Sequence, residues 1–248
     1  MPRALLACSA ITILASHACA SVTFDAQLST QLWMNARDAQ SRGGWLDIQA
    51  LPTALALSSV VDLDGGSPGW IAPGTSSARR TPDRPDASLF ESTLNLSGMI
   101  SSTSDWALMS GRLSATQPIL FTDTRTDATT DTLVRFDLYV SWWVAAGSDD
   151  ALDGRASAAA GWNAWQSDPS GPVAESTAEH SASPASGTRG NSGLWSYTFN
   201  VTVPAGGSTT FEFTTFVEGY GESAAVPTSG TAGLFCIGLL IAGSRRRG

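Results

Sequence analysis

From Val134 to Val144 the chain alternates without a break: Val134, Phe136, Leu138, Val140, Trp142 and Val144 stand against Arg135, Asp137, Tyr139, Ser141 and Trp143. Successive side chains of an extended chain point to opposite faces, whereas a helix would scatter this pattern around its circumference. The segment is therefore a strand with one complete apolar face, and that face needs a second layer to cover it. Trp142 falls on the covered face and Trp143 on the other. The same period of two recurs at Val22, Phe24, Ala26 and Leu28, at Phe90, Ser92, Leu94 and Leu96 (opposed by Glu91, Thr93 and Asn95), and at Tyr197, Phe199, Val201 and Val203. Pro204-Ala205-Gly206-Gly207-Ser208 reads as a turn and Phe211, Phe213 and Val217 as a return strand, which predicts a closing hairpin. Thr53 to Val61 is read as a further strand. With no long helical period in the body, the expected fold is all-β: a single antiparallel β-sandwich or jelly roll.

Two stretches interrupt the pattern. Thr122 to Thr132 is rich in Thr and Asp and reads as a solvated loop before the strong strand. Residues 166–193 are rich in Ser, Ala, Gly and Pro, with few apolar groups, and are expected to form a disordered loop.

The ends have a different character. Met1 to Ala20 has a charged start at Arg3, an apolar run from Ala4 to Ala15 and a small-residue exit, Ala18-Cys19-Ala20. This is the layout of a secretory signal peptide, cut by signal peptidase before Ser21. At the other end, Val226-Pro227-Thr228-Ser229-Gly230 leads into an apolar stretch from Thr231 to Gly243, then Arg245, Arg246 and Arg247. A helix of roughly 13 residues reaches only about 20 Å across a core of ~30 Å, so the stretch suits a temporary anchor with its arginines on the cytoplasmic side. The boundaries expected are 1–20 for the signal, 21–225 for the sandwich and 226–248 for the tail.

Val226-Pro227-Thr228-Ser229, the Gly/Leu/Ala-rich segment and the terminal arginines together resemble a bacterial PEP-CTERM sorting signal. The usual Pro-Glu-Pro motif has Thr228 in place of Glu and Ser229 in place of the second Pro. The resemblance implies an exported protein, recognition of the short motif by an exosortase-like membrane peptidase that detaches the tail, and a host that makes extracellular polysaccharide. It covers residues 226–248 alone and implies nothing about the body. The same five residues also resemble a degenerate Leu-Pro-x-Thr-Gly sortase signal, and an unprocessed tail anchor is the plainer alternative. Three terminal arginines argue against a GPI signal.

Composition narrows what the body can do. Cys8, Cys19 and Cys236 all lie in the terminal segments, so the body has no disulfide and no thiolate chemistry and relies on its core. At roughly 200 residues it can bury about 70% of its unfolded surface. The chain has no lysine; four of its 14 arginines leave with the ends while all 22 acidic residues stay, so the body carries about −12. Such a charge repels polyanions, and nucleic-acid binding is not expected. A Ser-His-Asp arrangement would rest on His180, which lies in the low-complexity stretch without a nucleophile elbow. No cofactor is expected. Asp62 and Asp64, and Asp149, Asp150 and Asp153, sit on acidic glycine turns as calcium ligands do, but neither set has the spacing of an EF-hand, and such turns also serve backbone geometry alone.

Nine tryptophans are the heaviest chemical signal. Exposed indoles beside amides and carboxylates hold sugar rings by stacking on their apolar faces and hydrogen-bonding their hydroxyls. Trp162, Trp165 and Trp143 are the candidates, with core filling as the alternative for each. The sequence is thus read as a non-catalytic exported protein of the cell surface or extracellular matrix. A carbohydrate-binding module is the alternative, and an extracellular hydrolase comes third.

Overall fold

The computed structural model describes residues 20–34, 45–63, 69–74, 77–80, 88–102, 106–149, 154–168, 170–182 and 187–223. These form twelve strands and no helix: β1 (Ala20–Met34), β2 (Leu46–Ala50), β3 (Ala54–Leu63), β4 (Gly69–Pro73), β5 (Ser77–Arg80), β6 (Phe90–Ser102), β7 (Ala107–Asp123), β8 (Thr132–Ser148), β9 (Arg155–Ser167), β10 (Ser170–Ala182), β11 (Gly187–Val203) and β12 (Ser208–Ser223). The first sheet runs β11-β8-β1-β6-β4, with β5 also on β6; the second runs β10-β9-β12-β7-β2, with β3 also on β7. Every pairing is antiparallel, so the fold is an all-β sandwich.

The pairings are nested. The β9–β10 hairpin lies innermost, β8 pairs β11 outside it, β7 pairs β12 outside that, and β6 pairs β1 outermost. Rolling this ribbon adds two pairings, β9 with β12 and β8 with β1, and closes the two sheets over each other. That is jelly-roll connectivity, with the strand that would end the roll placed first in the chain. The remaining strands widen the sheets at one side. Along β7 the added edge divides at Pro118, which has no N–H to give a ladder. There the buried side chain of Gln117 donates to the carbonyls of Leu51 (2.7 Å) and Pro118 (2.8 Å) and accepts from Thr53 Oγ1 at 2.5 Å, so β2 and β3 are separate strands.

The alternation read from the sequence decides which side chains enter the gap. Val22, Phe24, Ala26, Leu28 and Leu32 of β1 meet Phe211, Phe213 and Val217 of β12 across it, all buried. Phe136 is a hub, with the rings of Phe211, Phe199 and Phe121 at 4.8, 5.5 and 6.1 Å. Each such side chain contributes about 1.5–3 kcal/mol by burial, and aromatic pairs about 0.5–1.5 more. Across the gap Phe24 lies directly over Gly219, where a Cβ would sit 2.0 Å from the Phe24 ring. Gly221 meets Val22 in the same way, at 3.1 Å, which places the start of β1 and the end of β12 at one pole.

The strands expected at 22–28, 53–61, 90–96, 134–144 and 197–203 are all present. Three expectations are corrected. Residues 166–193 are not a disordered loop: their described part forms the end of β9, β10 and the start of β11. Small inward groups such as Ala178 and Ala182 suffice for β10 because bulky ones across the gap fill the space, and Tyr197 donates to Ser176 at 3.2 Å to tie β11 to β10. Residues 197–217 do not form a hairpin. The turn at Pro204–Gly207 exists, with Gly206 at φ 62°, but it carries the chain from one sheet to the other, so that Phe199 and Phe211 face each other at 5.9 Å. Both strands offer apolar faces inward, which an arch between sheets satisfies as well as a hairpin. Within Thr122–Thr132, residues 122–123 end β7, Thr132 opens β8, and only 124–131 form a loop.

That loop is pinned. Arg125 forms a two-pronged ion pair with buried Asp123 (Nε to Oδ1 2.9 Å, Nη2 to Oδ2 2.5 Å), donates to the Thr130 carbonyl and Thr132 Oγ1, and covers the Trp45 ring at 4.1 Å. The Arg125 hydrogen bonds hold the Asp123 carboxyl down at about 2, against the usual 3.8. A depressed carboxylate stabilises the fold above its unfolded value and loses that effect as pH falls through the folded one. Asp123→Asn is therefore expected to lose about 1.5–3 kcal/mol at neutral pH. Thermal melts should show the difference intact above about pH 4 and closing toward about pH 2.

Candidate functional site

The outward side of the first sheet is built by the same alternation that fills the core. Its centre is two registered rows across β8, β1 and β6. Trp143 stands beside Gln27 and Gln27 beside Asn95; Ser141 stands beside Ser29 and Ser29 beside Thr93. These six residues line an open depression of about 230 Å³. Strand spacing and rise make the two rows about 10 Å by 7 Å, the scale of one or two sugar rings. The half-buried indole of Trp143 forms one end. Gly190 of the neighbouring β11 leaves room beside it, since a Cβ there would lie 3.2 Å from the indole nitrogen. Further along the face the next rows carry Gln31 with Tyr139, then Trp33 with Asp137, and these four line a second, more open depression of about 530 Å³.

The chemistry of this face is amide, hydroxyl and aromatic. Amides and hydroxyls both donate and accept, and indole and phenol rings offer flat apolar surface. Two carboxylates flank the central depression, Asp25 one row to one side and Glu91 one row to the other. Burial pushes the Asp25 carboxyl up, with the Gln27 amide hydrogen bond working partly against it, and Asp25 Oδ1 is buried without a hydrogen-bond partner among the described residues. Glu91 accepts a hydrogen bond from Ser88. Six residues of extended chain, about 20 Å, separate the two rows. A glycosidase pair stands roughly 5–9.5 Å apart, so these flanking groups are not one.

The three tryptophans singled out from the sequence go to three places. Trp143 lies on this face. Trp162 is a correction as a glycan-binding candidate: at 1% exposure it is core, lying on β9, 5.1 Å from Tyr197 and 5.9 Å from Phe213. It falls on the inward phase of β9, as does Ala160, while Trp165 is three residues on and therefore faces outward from the second sheet. Sequence reasoning passed over Gln27, Asn95 and Tyr139. Their signal was the outward phase of strands already recognised, but which strands lie side by side could not be read there.

The outer face of the second sheet has a cleft of its own, about 480 Å³, crossing β10, β9, β12, β7 and β3. Its charged groups are largely spent on each other. Arg112 pairs with Glu218 at 3.1 Å and covers Phe216 at 4.3 Å. Just beyond, Glu222 accepts from Tyr220 at 2.7 Å and Trp106 at 3.2 Å, bonds that hold its carboxyl below its usual range. Of the calcium candidates, Asp149 accepts from Ser21 Oγ at 2.8 Å. Asp64, Asp150 and Asp153 lie outside the described residues, as does the side chain of Asp62, and no acidic, His or Cys group suited to a metal occurs among the described ones. His180 lies on β10 beside Ala158. The sorting motif Val226, Pro227, Thr228 and Ser229, the terminal Arg245, Arg246 and Arg247, and residues 1–19 are also outside them.

No protein-family model, no curated protein and no solved structure matches the chain.

A raised carboxyl value means that the folded chain holds the Asp25 proton more tightly than the unfolded chain, so ionised Asp25 opposes folding above the ordinary value of 3.8. Asp25→Asn is expected to melt at a higher temperature than the parent at pH 7, with the gain vanishing below about pH 4. A lower melting temperature at pH 7 would contradict the assigned burial effect.

Proposed function

We propose that this is a non-catalytic exported protein of the cell surface or extracellular matrix that holds an uncharged extracellular polysaccharide on the outer face of its first sheet. The observation that carries this reading is the registered Trp143–Gln27–Asn95 row: an aromatic plate, two amides and a row of hydroxyls on rigid central strands. A site on sheet strands needs little ordering when ligand arrives, which favours binding. An uncharged polymer is the fitting class because a body near −12 repels polyanions. No cofactor enters this reading, and the wide separation of the flanking carboxylates favours holding sugar over cutting it.

Export and sorting rest on the signal-like start and the PEP-CTERM-like tail, with signal peptidase and an exosortase-like peptidase as the processing partners. The shared pole of β1 and β12 suits this arrangement. The new start at Ser21 and the end of β12 lie at one end, and Gln27 stands about 20 Å along β1 from Ser21. The intact mass of protein recovered from the host's medium should correspond to a species starting at Ser21 and ending between Val226 and Gly230. A membrane-bound form retaining Arg245 to Arg247 as the sole product would overturn the processing step.

For the binding step, calorimetric titration with the host's own extracellular polysaccharide and with a neutral glucan is expected to give saturable binding. Trp143→Ala should weaken it at least tenfold, or about 1.4 kcal/mol, while Trp165→Ala leaves it unchanged. Equal binding by parent and Trp143→Ala protein would defeat the assignment. Preferential binding of alginate, a polyanion, would defeat the stated ligand class.

A further inference from the structure

We infer that two copies of this chain join edge to edge through β3, making one continuous sheet from their two second sheets. This does not rest on the polysaccharide reading. Strand β3 is hydrogen-bonded to β7 along one side, and among the described residues no strand pairs with its other side. Residues 54–60 are all exposed, including Leu55 at 51%, Leu57 at 48% and Val60 at 56%.

Sheet edges are normally protected by charge, proline or shortness, because an open edge templates pairing with another chain. The other outer strands here follow that rule. Strand β10 carries Pro172, Glu175 and Glu179; β11 carries Arg189; β2 is five residues long and holds Asp47; β4 ends in Pro73; β5 ends in Arg79-Arg80. In β3 the run Ala54-Leu55-Ala56-Leu57-Ser58-Ser59-Val60-Val61 has no charge and no proline, and the strand's one charged residue, Asp62, comes only near its end.

A second copy is the fitting occupant. The bodies are strongly acidic and repel one another over most of their surface, whereas residues 54–61 of β3 meet with no charge on either copy. Antiparallel self-pairing is isologous: it closes at two copies about a twofold axis perpendicular to the sheet. Eight residues give an edge about 27 Å long. Leu55 and Leu57 share one face of the strand and would meet their counterparts across the axis, shielding side chains that lie exposed in one copy. The same axis turns the first sheets of both copies to the same side, so the two Trp143 faces stand together, an arrangement that raises the avidity for any repeating polymer.

Sedimentation of the protein purified from its host, combined with hydrogen exchange, tests this. A mass of twice the monomer is expected, with amide exchange in Ala54–Val61 slowing as concentration rises and β10 unaffected. Leu57→Lys with Val60→Lys, both at exposed positions, should sediment as a monomer with an unchanged circular-dichroism spectrum. If that pair does not fold, Ser59→Lys places a single charge on the same edge and is read the same way. A monomeric mass at every concentration, a dimer indifferent to the edge lysines, or concentration-dependent protection confined to other strands would each overturn the inference.

Discussion

Strand β1 hydrogen-bonds to β6 along one side and to β8 along the other, and both partners lie far downstream in the chain. Without β1 the first sheet would present two open edges inside the sandwich, and the ring of Phe24 would leave the gap over Gly219 unfilled. A body without cysteines has no covalent means of holding those strands together, so the closed roll depends on this one insertion. Nested pairing also makes contacts between distant parts of the chain predominate, a topology that closes slowly because much loop entropy is lost before the last strand is rewarded.

The same strand joins fold to site. Its inward residues close the core, and its outward ones, Asp25, Gln27 and Ser29, form the middle of the candidate face. Trp143 and Asn95 come from its two neighbours, so the polar row exists only when β1 is in register with both. A slip of one residue would turn Gln27 inward and Leu28 outward, and the buried face rules that out. The precision of the depression is therefore inherited from core packing. Ionised Asp25, whose burial opposes folding, sits beside that depression, where strain against stability commonly accompanies a working surface.

Much of this architecture was legible in the sequence. Alternation at Val134–Val144 and Val22–Leu28 identified strands with one buried face, and the two-layer class followed. What alternation cannot supply is partnership. Phe199 and Phe211 look the same whether their strands pair in a hairpin or face each other across a core. The Ser/Ala-rich segment at 170–182 was obscure because its burial comes from bulky groups supplied by other strands. Trp162 was misplaced because its inward phase shows only once β9 is known to run from Arg155 to Ser167. Trp143 was assigned to the outward side because it lies in the strongest pattern, but the amides that make a site of it are distant in sequence and become neighbours only through register.

The most direct test of the central claim is an indole N–H spectrum of the protein, which carries nine tryptophans, titrated with the host's extracellular polysaccharide. The signal of Trp143 should shift progressively with added polymer while those of buried Trp162 and of Trp165 on the opposite sheet stay in place. A shift at Trp165 with Trp143 unmoved would transfer binding to the other face and contradict this account.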